Sequence, residues 1–389
     1  MKKKIIVNAV LAGAVFMAAA SSAAAMTAEE RLGQMLYFDK YLSKNHNQSC
    51  ASCHHPAAGW ADPLNAALPE VYPVSLGSDR TLNGCRNAPP SGYAAFIPVF
   101  GGDVDNGFSG GQFWDGRADT LKDQAKGPFL NPVEMAMESA AAVIAAIADG
   151  NNPKSEMYRR LFKKVYGVDL RAVDYTNDVL IETLYDKVAQ AIATFEQTKR
   201  LTSFSSKYDY YLAGKATLTR LEEEGLALFE GKANCSACHP SAAQFNADGT
   251  ITPPLFTDFT YDNLGVPKNL NDLVVNCPTD YGLGGRLSEP TEDGKFRVSS
   301  LRNIEMTAPY THNGYFATLD DIVHFYNTRD VENWPLPEVA VNVNPTELGD
   351  LRLTAREEAA LVAFLQTLTD GFEDKMPANF VLPSITPLN

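Results

Sequence analysis

Two short stretches of the chain carry cysteine and histidine at a spacing suited to one kind of covalent chemistry. Both read C-x-x-C-H, and they contain Cys50, Cys53 and His54, and then Cys235, Cys238 and His239. Two thiols three positions apart can form thioethers to the two vinyl groups of one haem, and the adjacent histidine can bind the iron. A redox dithiol would not need the histidine, and a structural zinc site would need further ligands nearby. The two copies predict two covalently attached haem c groups.

What fills the second axial position of each iron decides whether such a haem carries electrons or reacts. The chain has six histidines, and His54 and His239 are assigned as proximal ligands. His55 lies beside the first motif and cannot easily reach the opposite haem face. Between His55 and Cys85 the sequence has no other histidine and no methionine. We therefore expect an open, reactive first haem; a ligand from elsewhere, such as His46 or a methionine, is the alternative.

Similar helical segments lead into the two motifs and predict a duplicated architecture. Each begins with a T-x-x-E capping box, and so does the last amphipathic stretch of the chain; the boxes span residues 27–30, 219–222 and 354–357. Apolar residues at helical spacing follow each box. The sequence predicts a mainly α fold of two c-type cytochrome domains with little β structure, each with one covalently bound haem c. We place the domains at residues 26–205 and 206–389.

The N-terminal residues predict export. Lys2–Lys4 precede an apolar run at residues 5–20, and Ala23–Ala25 offer a cleavage site, so residues 1–25 are predicted to be a signal peptide. The run is short and rich in alanine for a membrane span; an uncleaved anchor is the alternative. We expect a periplasmic protein without stable membrane insertion. Its formal charge of −14 argues against nucleic-acid partners and permits a basic protein partner.

Two cysteines remain outside the motifs. Cys85 and Cys277 can bridge the two halves of an exported protein, because disulfides persist in that environment. Sequence alone leaves this pairing open.

Further motifs resemble those of the bacterial dihaem cytochrome c peroxidase family, which includes the MauG proteins. The resemblance extends over nearly the whole mature chain and includes Ser-Cys-Ala-Ser-Cys-His at 49–54, Cys-Arg-Asn-Ala-Pro at 85–89, Phe-Trp-Asp-Gly-Arg-Ala at 113–118, Gly-Pro-x-x-Asn-Pro-x-Glu-Met at 127–135, and Thr-Ala-Pro-Tyr-x-His-Asn-Gly at 307–314.

The resemblance implies catalytic roles around the first haem, which is the peroxidatic one in this family. Glu134 matches the distal acid that helps cleave the O–O bond, a reaction that needs a proton moved between the two oxygens. Gln124 matches a second distal polar residue, and Trp114 matches a tryptophan between the haems. From the residues alone, a helix-start carboxylate just before residues 135–147 is the favoured interpretation of Glu134, and Trp114 would be interpreted as a core residue.

The resemblance also implies a calcium ion between the domains. Asn87, Thr307 and Pro309 match its ligands, and amide and carbonyl oxygens are donors suited to calcium. Ordinary turn chemistry in loops with asparagine and proline is the alternative.

The resemblance places Tyr326 where ordinary members have a methionine ligand to the second iron and MauG-type members have tyrosine. The helical pattern supports an inward Tyr326, because it shares an apolar face with Leu319 and Val323. His324 points about 200° away around the helix. A buried core tyrosine, or Met306 as ligand, is the alternative. A tyrosine ligand favours oxidised iron over the higher potential that methionine gives.

These features predict a hydrogen-peroxide-dependent dihaem oxidoreductase of the MauG-like branch that oxidises a residue in a partner protein. A detoxifying peroxidase fed by a small cytochrome or cupredoxin is one alternative, and a non-catalytic dihaem electron carrier is another. MauG has a tryptophan just before its second haem motif, whereas residues 231–234 here contain none. The substrate therefore need not be the same.

Overall fold

The computed structural model describes residues 25–245, 249 and 251–372. The predicted signal peptide lies outside this part of the chain except for its last residue. Within the described residues, no helix is long and apolar enough to cross a membrane.

Helices dominate the described residues, which confirms the predicted mainly α fold. The first half contains α1 Ala28–Tyr37, α2 Cys50–Cys53, α3 Pro63–Ala67, α4 Leu121–Leu130, α5 Ala140–Ala148, α6 Ser155–Tyr166 and α7 Asp178–Glu196. The second half contains α8 Lys207–Leu212, α9 Arg220–Glu230, α10 Gly282–Leu287, α11 Leu319–Thr328 and α12 Ala355–Gln366.

The β structure consists of short antiparallel ribbons of two strands each. Their strands are β1 Gly101–Asp103 with β2 Gly107–Ser109, β3 Gln244–Phe245 with β4 Ile251–Thr252, and β5 Tyr261–Asp262 with β6 Phe296–Arg297. The last ribbon is continued by a bond from the Arg297 amide to the Trp114 carbonyl at 2.9 Å, so it joins the two halves of the chain.

The three predicted capping boxes form at the starts of α1, α9 and α12. In α1 the Glu30 amide donates to Thr27 Oγ1 at 3.2 Å, and the Thr27 amide donates to Glu30 Oε2 at 2.6 Å. Each box satisfies amides that lack partners within the helix, and so sets where the helix begins.

The repeated helices use the same packing device in both halves. A Cβ atom on Gly33 of α1 would lie 1.8 Å from the carbonyl oxygen of Ala191 in α7. A Cβ atom on Gly225 of α9 would lie 1.9 Å from the carbonyl oxygen of Ala360 in α12. Only glycine allows backbones to approach this closely. The helix before each C-x-x-C-H motif thus packs tightly against a second helix, which is α7 in the first half and α12 in the second.

Among the described residues, two large apolar cores follow from this arrangement, beside two smaller clusters. The first is formed by buried residues between Leu32 and Leu201, and the second by buried residues between Tyr208 and Leu368. The predicted domain boundary after residue 205 lies between these clusters, although the boundary itself stays a prediction. Between the halves, Arg86 Nε and Nη2 donate to the Asp280 carboxylate at 2.6 and 2.7 Å.

The question left open for the two remaining cysteines is answered by the structure. Cys85 and Cys277 form a disulfide with an S–S distance of 2.04 Å, across a sequence separation of 192 residues. It lies beside the Arg86–Asp280 pair and connects the two halves covalently.

Replacing both cysteines with alanine is expected to lower the free energy of unfolding by about 2–5 kcal/mol, because a long covalent loop restricts the unfolded chain. Chemical denaturation of the purified holoprotein measures this, and wild-type protein treated with a reductant is the matched control. An unchanged unfolding midpoint in both samples would show that the bridge does not stabilise the fold.

Candidate functional site

The two C-x-x-C-H motifs share one backbone hydrogen bond, although the first is an α-helical turn and the second a 3-10 turn. The His54 amide donates to the Cys50 carbonyl at 2.9 Å, and the His239 amide donates to the Cys235 carbonyl at 2.9 Å. All four motif cysteines have free thiols. Each turn therefore presents two thiols and one imidazole together, as covalent haem attachment requires.

The second motif holds its histidine in one orientation. His239 Nδ1 lies 2.7 Å from the carbonyl oxygen of Phe256, so Nδ1 carries the proton and Nε2 is left as the lone-pair donor. Burial lowers the pKa of His239 below its usual value. The ring is thus neutral, which is the form that binds a metal ion.

A largely apolar cavity of about 240 Å³ opens beside this motif. Its lining includes the motif residues Cys235, Cys238 and His239 and four residues of α11, which are Leu319, Ile322, Val323 and Tyr326. The predicted apolar face of α11 therefore borders the cavity. Thiols, imidazole and phenol meet in one space, so the residues present suit an attached haem with Tyr326 available as a further ligand.

The alternatives to Tyr326 lie elsewhere. His324 lies on α11 outside the lining of the cavity. Its Nδ1 is 3.0 Å from Glu358 Oε1, and its Nε2 is 3.3 Å from Glu332 Oε2. Met306 lies close to Gly59, because a Cβ atom added to Gly59 would be 3.2 Å from the Cβ atom of Met306. Burial raises the pKa of the Tyr326 hydroxyl, and nearby charges raise it further. Iron ligation by Tyr326 stays a prediction.

The first motif is surrounded by buried polar atoms that lack partners. His54 Nδ1, Gln48 Oε1 and Glu196 Oε2 form no hydrogen bond within the described residues. Gln48 Nε2 lies 3.5 Å from Cys53 Sγ, so Gln48 is adjacent to the motif. Unpaired buried polar atoms are costly. Their position beside two thiols and a histidine fits a group with polar substituents, such as haem.

The two proximal histidines have different surroundings. Burial lowers the pKa of His54 to about 4, so its ring is neutral. Its backbone carbonyl accepts a bond from the Tyr37 hydroxyl at 2.9 Å, and Tyr37 also bonds Ser91 Oγ at 2.7 Å. His54 is thus held through its backbone, whereas His239 is held through its ring.

The other histidines near the first motif are engaged locally. His55 is buried and its Nδ1 accepts from the Ala57 amide at 3.2 Å. His46 is exposed, stacks on Tyr41 with ring centroids 4.1 Å apart, and places Nδ1 2.9 Å from the Tyr41 carbonyl.

Glu134 lies in the turn between α4 and α5, close to the first motif. Burial raises the pKa of both Cys50 and Cys53, and Glu134 is near enough for its charge to add to that rise. Asn131 Nδ2 donates to Glu134 Oε1 at 2.8 Å. Burial raises the pKa of Glu134, while the Asn131 bond and the charge of Arg117 oppose that rise. The carboxyl borders a second cavity of about 440 Å³, together with Asn131 and Arg117.

The helix-start alternative for Glu134 is wrong. Helix α5 begins at Ala140, and its cap is Ser139, whose side chain accepts from the Ala142 amide. Glu134 instead belongs to a turn in which its amide bonds the Asn131 carbonyl at 3.0 Å. A terminal helix dipole acts only within the first turn, so it does not explain this carboxylate.

Gln124 is half-buried on α4. It precedes Asn131, at the C-terminal cap of the helix, by seven residues, or about two turns, so both lie on one side of the helix. The second cavity is bordered by Asn131 and Glu134. Gln124 is absent from the lining of that cavity, so its role beside Glu134 stays a prediction.

Trp114 lines the cavity of the second motif and connects it to the segment that faces the first. Its Nε1–H donates to the Asn87 carbonyl at 2.8 Å. The backbone of Pro89, two residues later, faces the His54 ring. The segment at residues 87–89 therefore lies between the two motifs, with Trp114 on one side of it.

The three predicted calcium ligands also border this cavity. Asn87, Thr307 and Pro309 all belong to its lining. Asn87 Nδ2 donates to the Pro73 carbonyl at 3.0 Å, which directs the amide nitrogen away and leaves Oδ1 as a possible donor. One amide oxygen and two residues of a second segment suit a hard cation.

Sequence reasoning missed two residues that position the site. Asn131 lies within a quoted motif, and its spacing of three from Glu134 was a usable signal. Phe256 acts through its carbonyl, and its backbone is in the left-handed region with φ 53°. The sequence carries no signal for such a contact.

Comparison with known proteins agrees with this geometry. A family model described as di-haem cytochrome c peroxidase matches residues 27–217. The chain is 40% identical over 358 residues to the methylamine utilization protein MauG of Paracoccus denitrificans, which covers 87% of this chain and 88% of that protein. It is 31% identical over 369 residues to the cytochrome c551 peroxidase of Nitrosomonas europaea, with 92% and 83% covered.

A solved structure shows the same likeness. The dihaem peroxidase BthA of Burkholderia thailandensis is similar with a TM-score of 0.74 at 32% identity, and the match covers 89% of this chain and 86% of that one. The chain therefore belongs to the dihaem cytochrome c peroxidase and MauG family of haem oxidoreductases.

Proposed function

We propose that this protein reduces hydrogen peroxide at its first haem site and draws the electrons through its second site from a partner protein, one of whose residues it oxidises. The observation that carries the proposal is an asymmetry. A half-buried carboxyl, Glu134, lies near Cys50 and Cys53, whereas the cavity at Cys235 and Cys238 is bordered by Tyr326. One site is equipped for proton transfer and the other offers a further ligand.

The residues that would hold the two haem groups follow from the motifs. Cys50, Cys53 and His54 would hold the first, and Cys235, Cys238, His239 and Tyr326 the second. When bound, the haems would supply the redox-active iron that peroxide reduction requires. The chain's own side chains then provide proton transfer, orientation and a route for electrons.

Glu134 acts as the proton carrier in this proposal. Heterolysis of hydrogen peroxide needs a proton removed from one oxygen and delivered to the other, and a single carboxylate can do both. Asn131 Nδ2, 2.8 Å from Glu134 Oε1, fixes the direction of the carboxylate. Gln124 is proposed to orient the substrate by hydrogen bonding.

Trp114 is proposed to conduct electrons between the sites. Its indole borders the second cavity, and its N–H is bonded to the Asn87 carbonyl at 2.8 Å. A calcium ion held by Asn87, Thr307 and Pro309 would restrict the motion of Asn87, whose carbonyl accepts the indole hydrogen bond. That arrangement gives the ion a role in electron transfer rather than in peroxide chemistry.

Location and partner are further parts of the proposal. Residues 1–25 direct the protein to the periplasm, and the formal charge of −14 favours a partner protein with a basic surface. The partner is an electron donor or a protein substrate.

Addition of hydrogen peroxide to the purified ferric holoprotein tests the proposal. We expect the visible absorption spectrum to change within the mixing time and to recover when a reduced donor protein is added. Peroxide treated beforehand with catalase is the control. A spectrum that does not respond would contradict the proposal and favour an electron carrier, and rapid steady turnover with a ferrous cytochrome would favour the detoxifying peroxidase.

A further inference from the structure

Three aromatic rings lead from the second cavity towards the protein surface. Tyr326 borders the cavity. The ring centroid of Phe325 lies 6.0 Å from that of Tyr326, and the ring centroid of Trp334 lies 5.2 Å from that of Phe325. We call Tyr326, Phe325 and Trp334 the aromatic path. Its members pack against one another at distances typical of aromatic contacts.

Trp334 is the outer end of this path. It is half-buried, and its Nε1–H donates to Thr328 Oγ1 at 3.0 Å, which fixes the ring. The neighbouring side chains Val331 and Leu336 are 60% and 86% exposed. Val331 precedes Trp334 by three residues and Leu336 follows it by two, so exposed apolar side chains flank a held indole in the sequence, and a protein surface can contact this segment.

The other two tryptophans do not occupy such a position. Trp60 is buried beside the first motif, where it packs edge-on against Tyr37 and Phe195. Trp114 is bonded to the segment between the sites. Trp114 is half-buried like Trp334, but it lines the second cavity itself. Indole is among the most easily oxidised side chains, and Trp334 is the tryptophan that combines such a ring, a packed connection to the second cavity and neighbours in sequence, Val331 and Leu336, that are strongly exposed.

We propose that Trp334 is the relay through which single electrons enter the second site from a redox protein docked against Val331 and Leu336. The inference rests on the proposed function and names the residue at which electrons enter the protein. The partner would carry an apolar contact patch with a basic rim, because this chain has a formal charge of −14.

The electron balance is complete with hydrogen peroxide as oxidant. Trp334 loses one electron towards Tyr326 and regains one from the partner, so the ring is unchanged after each passage. Its indole proton stays in place, because Thr328 Oγ1 is a weak base. Two passages reduce one hydrogen peroxide to two waters with two protons from solvent, and the partner is oxidised by two electrons.

Oxidative self-modification provides a test that does not depend on turnover. The holoprotein is treated with hydrogen peroxide without any donor, and its peptides are analysed by mass spectrometry. We expect added oxygen at Trp334, since a ring that cannot regain its electron reacts further. Tyr281, 47% exposed and outside the aromatic path, is the internal control and should stay unmodified.

Two variants separate a relay from a packing role. With a ferrous basic c-type cytochrome as probe donor, W334F should lower the rate constant for re-reduction of the peroxide-treated holoprotein by on the order of tenfold, whereas W334Y, which keeps an oxidisable ring, should restore most of that rate. A packing role predicts that phenylalanine is at least as good as tyrosine. L336S should raise the donor concentration that gives half-maximal re-reduction and leave the limiting rate constant unchanged, because Leu336 lies only on the docking patch and the substitution adds no charge.

The possible failures are distinguishable. If the wild-type holoprotein does not consume peroxide, the proposed function fails and this inference fails with it. If peroxide is consumed while Trp334 stays unmodified and W334F oxidises the donor at the wild-type rate, only the relay is overturned.

Discussion

Replacing Glu134 with glutamine is expected to slow the reaction of the ferric holoprotein with hydrogen peroxide by on the order of 10²–10⁴-fold, the usual contribution of a positioned acid–base group. The variant keeps the size of the side chain and an oxygen to accept the Asn131 bond of 2.8 Å, so its geometry is retained. What it loses is the ability to take up and release a proton. The loss should therefore appear in the rate constant and not in the folding of the protein.

The pH dependence offers a second signature of Glu134. Burial raises the pKa of this carboxyl, and the side chain must be deprotonated to accept the first proton. The wild-type rate should therefore fall as the pH falls through that raised pKa, and the rate of the glutamine variant should lack this decline.

Stopped-flow absorption spectroscopy measures both effects. Glu138→Gln is the matched control. Glu138 is exposed and lies four residues after Glu134, and its substitution removes the same charge. We expect that control to react at the wild-type rate. Similar rates for Glu134→Gln and Glu138→Gln would remove Glu134 from the proton-transfer role.

Replacing Tyr326 with methionine is expected to change the low-spin spectrum of one haem and to raise its midpoint potential. Axial ligands shift haem potentials over a span of roughly 0.8 V, and a thioether favours reduced iron more than a phenolate does. Of the four α11 residues that border the cavity with Cys235 and His239, Tyr326 is the one whose side chain can bind iron, so the substitution places sulfur where oxygen was. The protein should then resemble an ordinary peroxidase and accept electrons from a mild donor more readily.

Electron paramagnetic resonance and a spectroelectrochemical titration provide the measurements. Tyr315→Phe is the control, since Tyr315 packs against the same apolar core but is absent from the lining of that cavity. An unchanged low-spin signal in Tyr326→Met would rule out Tyr326 as the ligand. A signal altered equally in both variants would indicate a general packing disturbance.

The sequence alone determined the features that depend on neighbouring residues. The C-x-x-C-H motifs place two thiols and an imidazole together because a single turn brings residues three and four positions apart close to each other. The structure shows the same backbone hydrogen bond in both motifs. The capping boxes likewise set the starts of α1, α9 and α12. The inward position of Tyr326 and the outward position of His324 followed from helical periodicity, which is also local.

Only the tertiary structure decided which distant residues meet. Glu134 comes near Cys50, more than 80 residues earlier, because the turn after α4 packs beside the first motif. The hydrogen bond from His239 to Phe256 and the disulfide between Cys85 and Cys277 depend on loops whose paths no periodic pattern describes. The path from Tyr326 to Trp334 requires the chain to turn back over α11. Such contacts arise from packing the whole chain, in which Gly33 and Gly225 permit the closest helix approaches. Local spacing thus sets which chemical groups are available, and packing sets which of them act together.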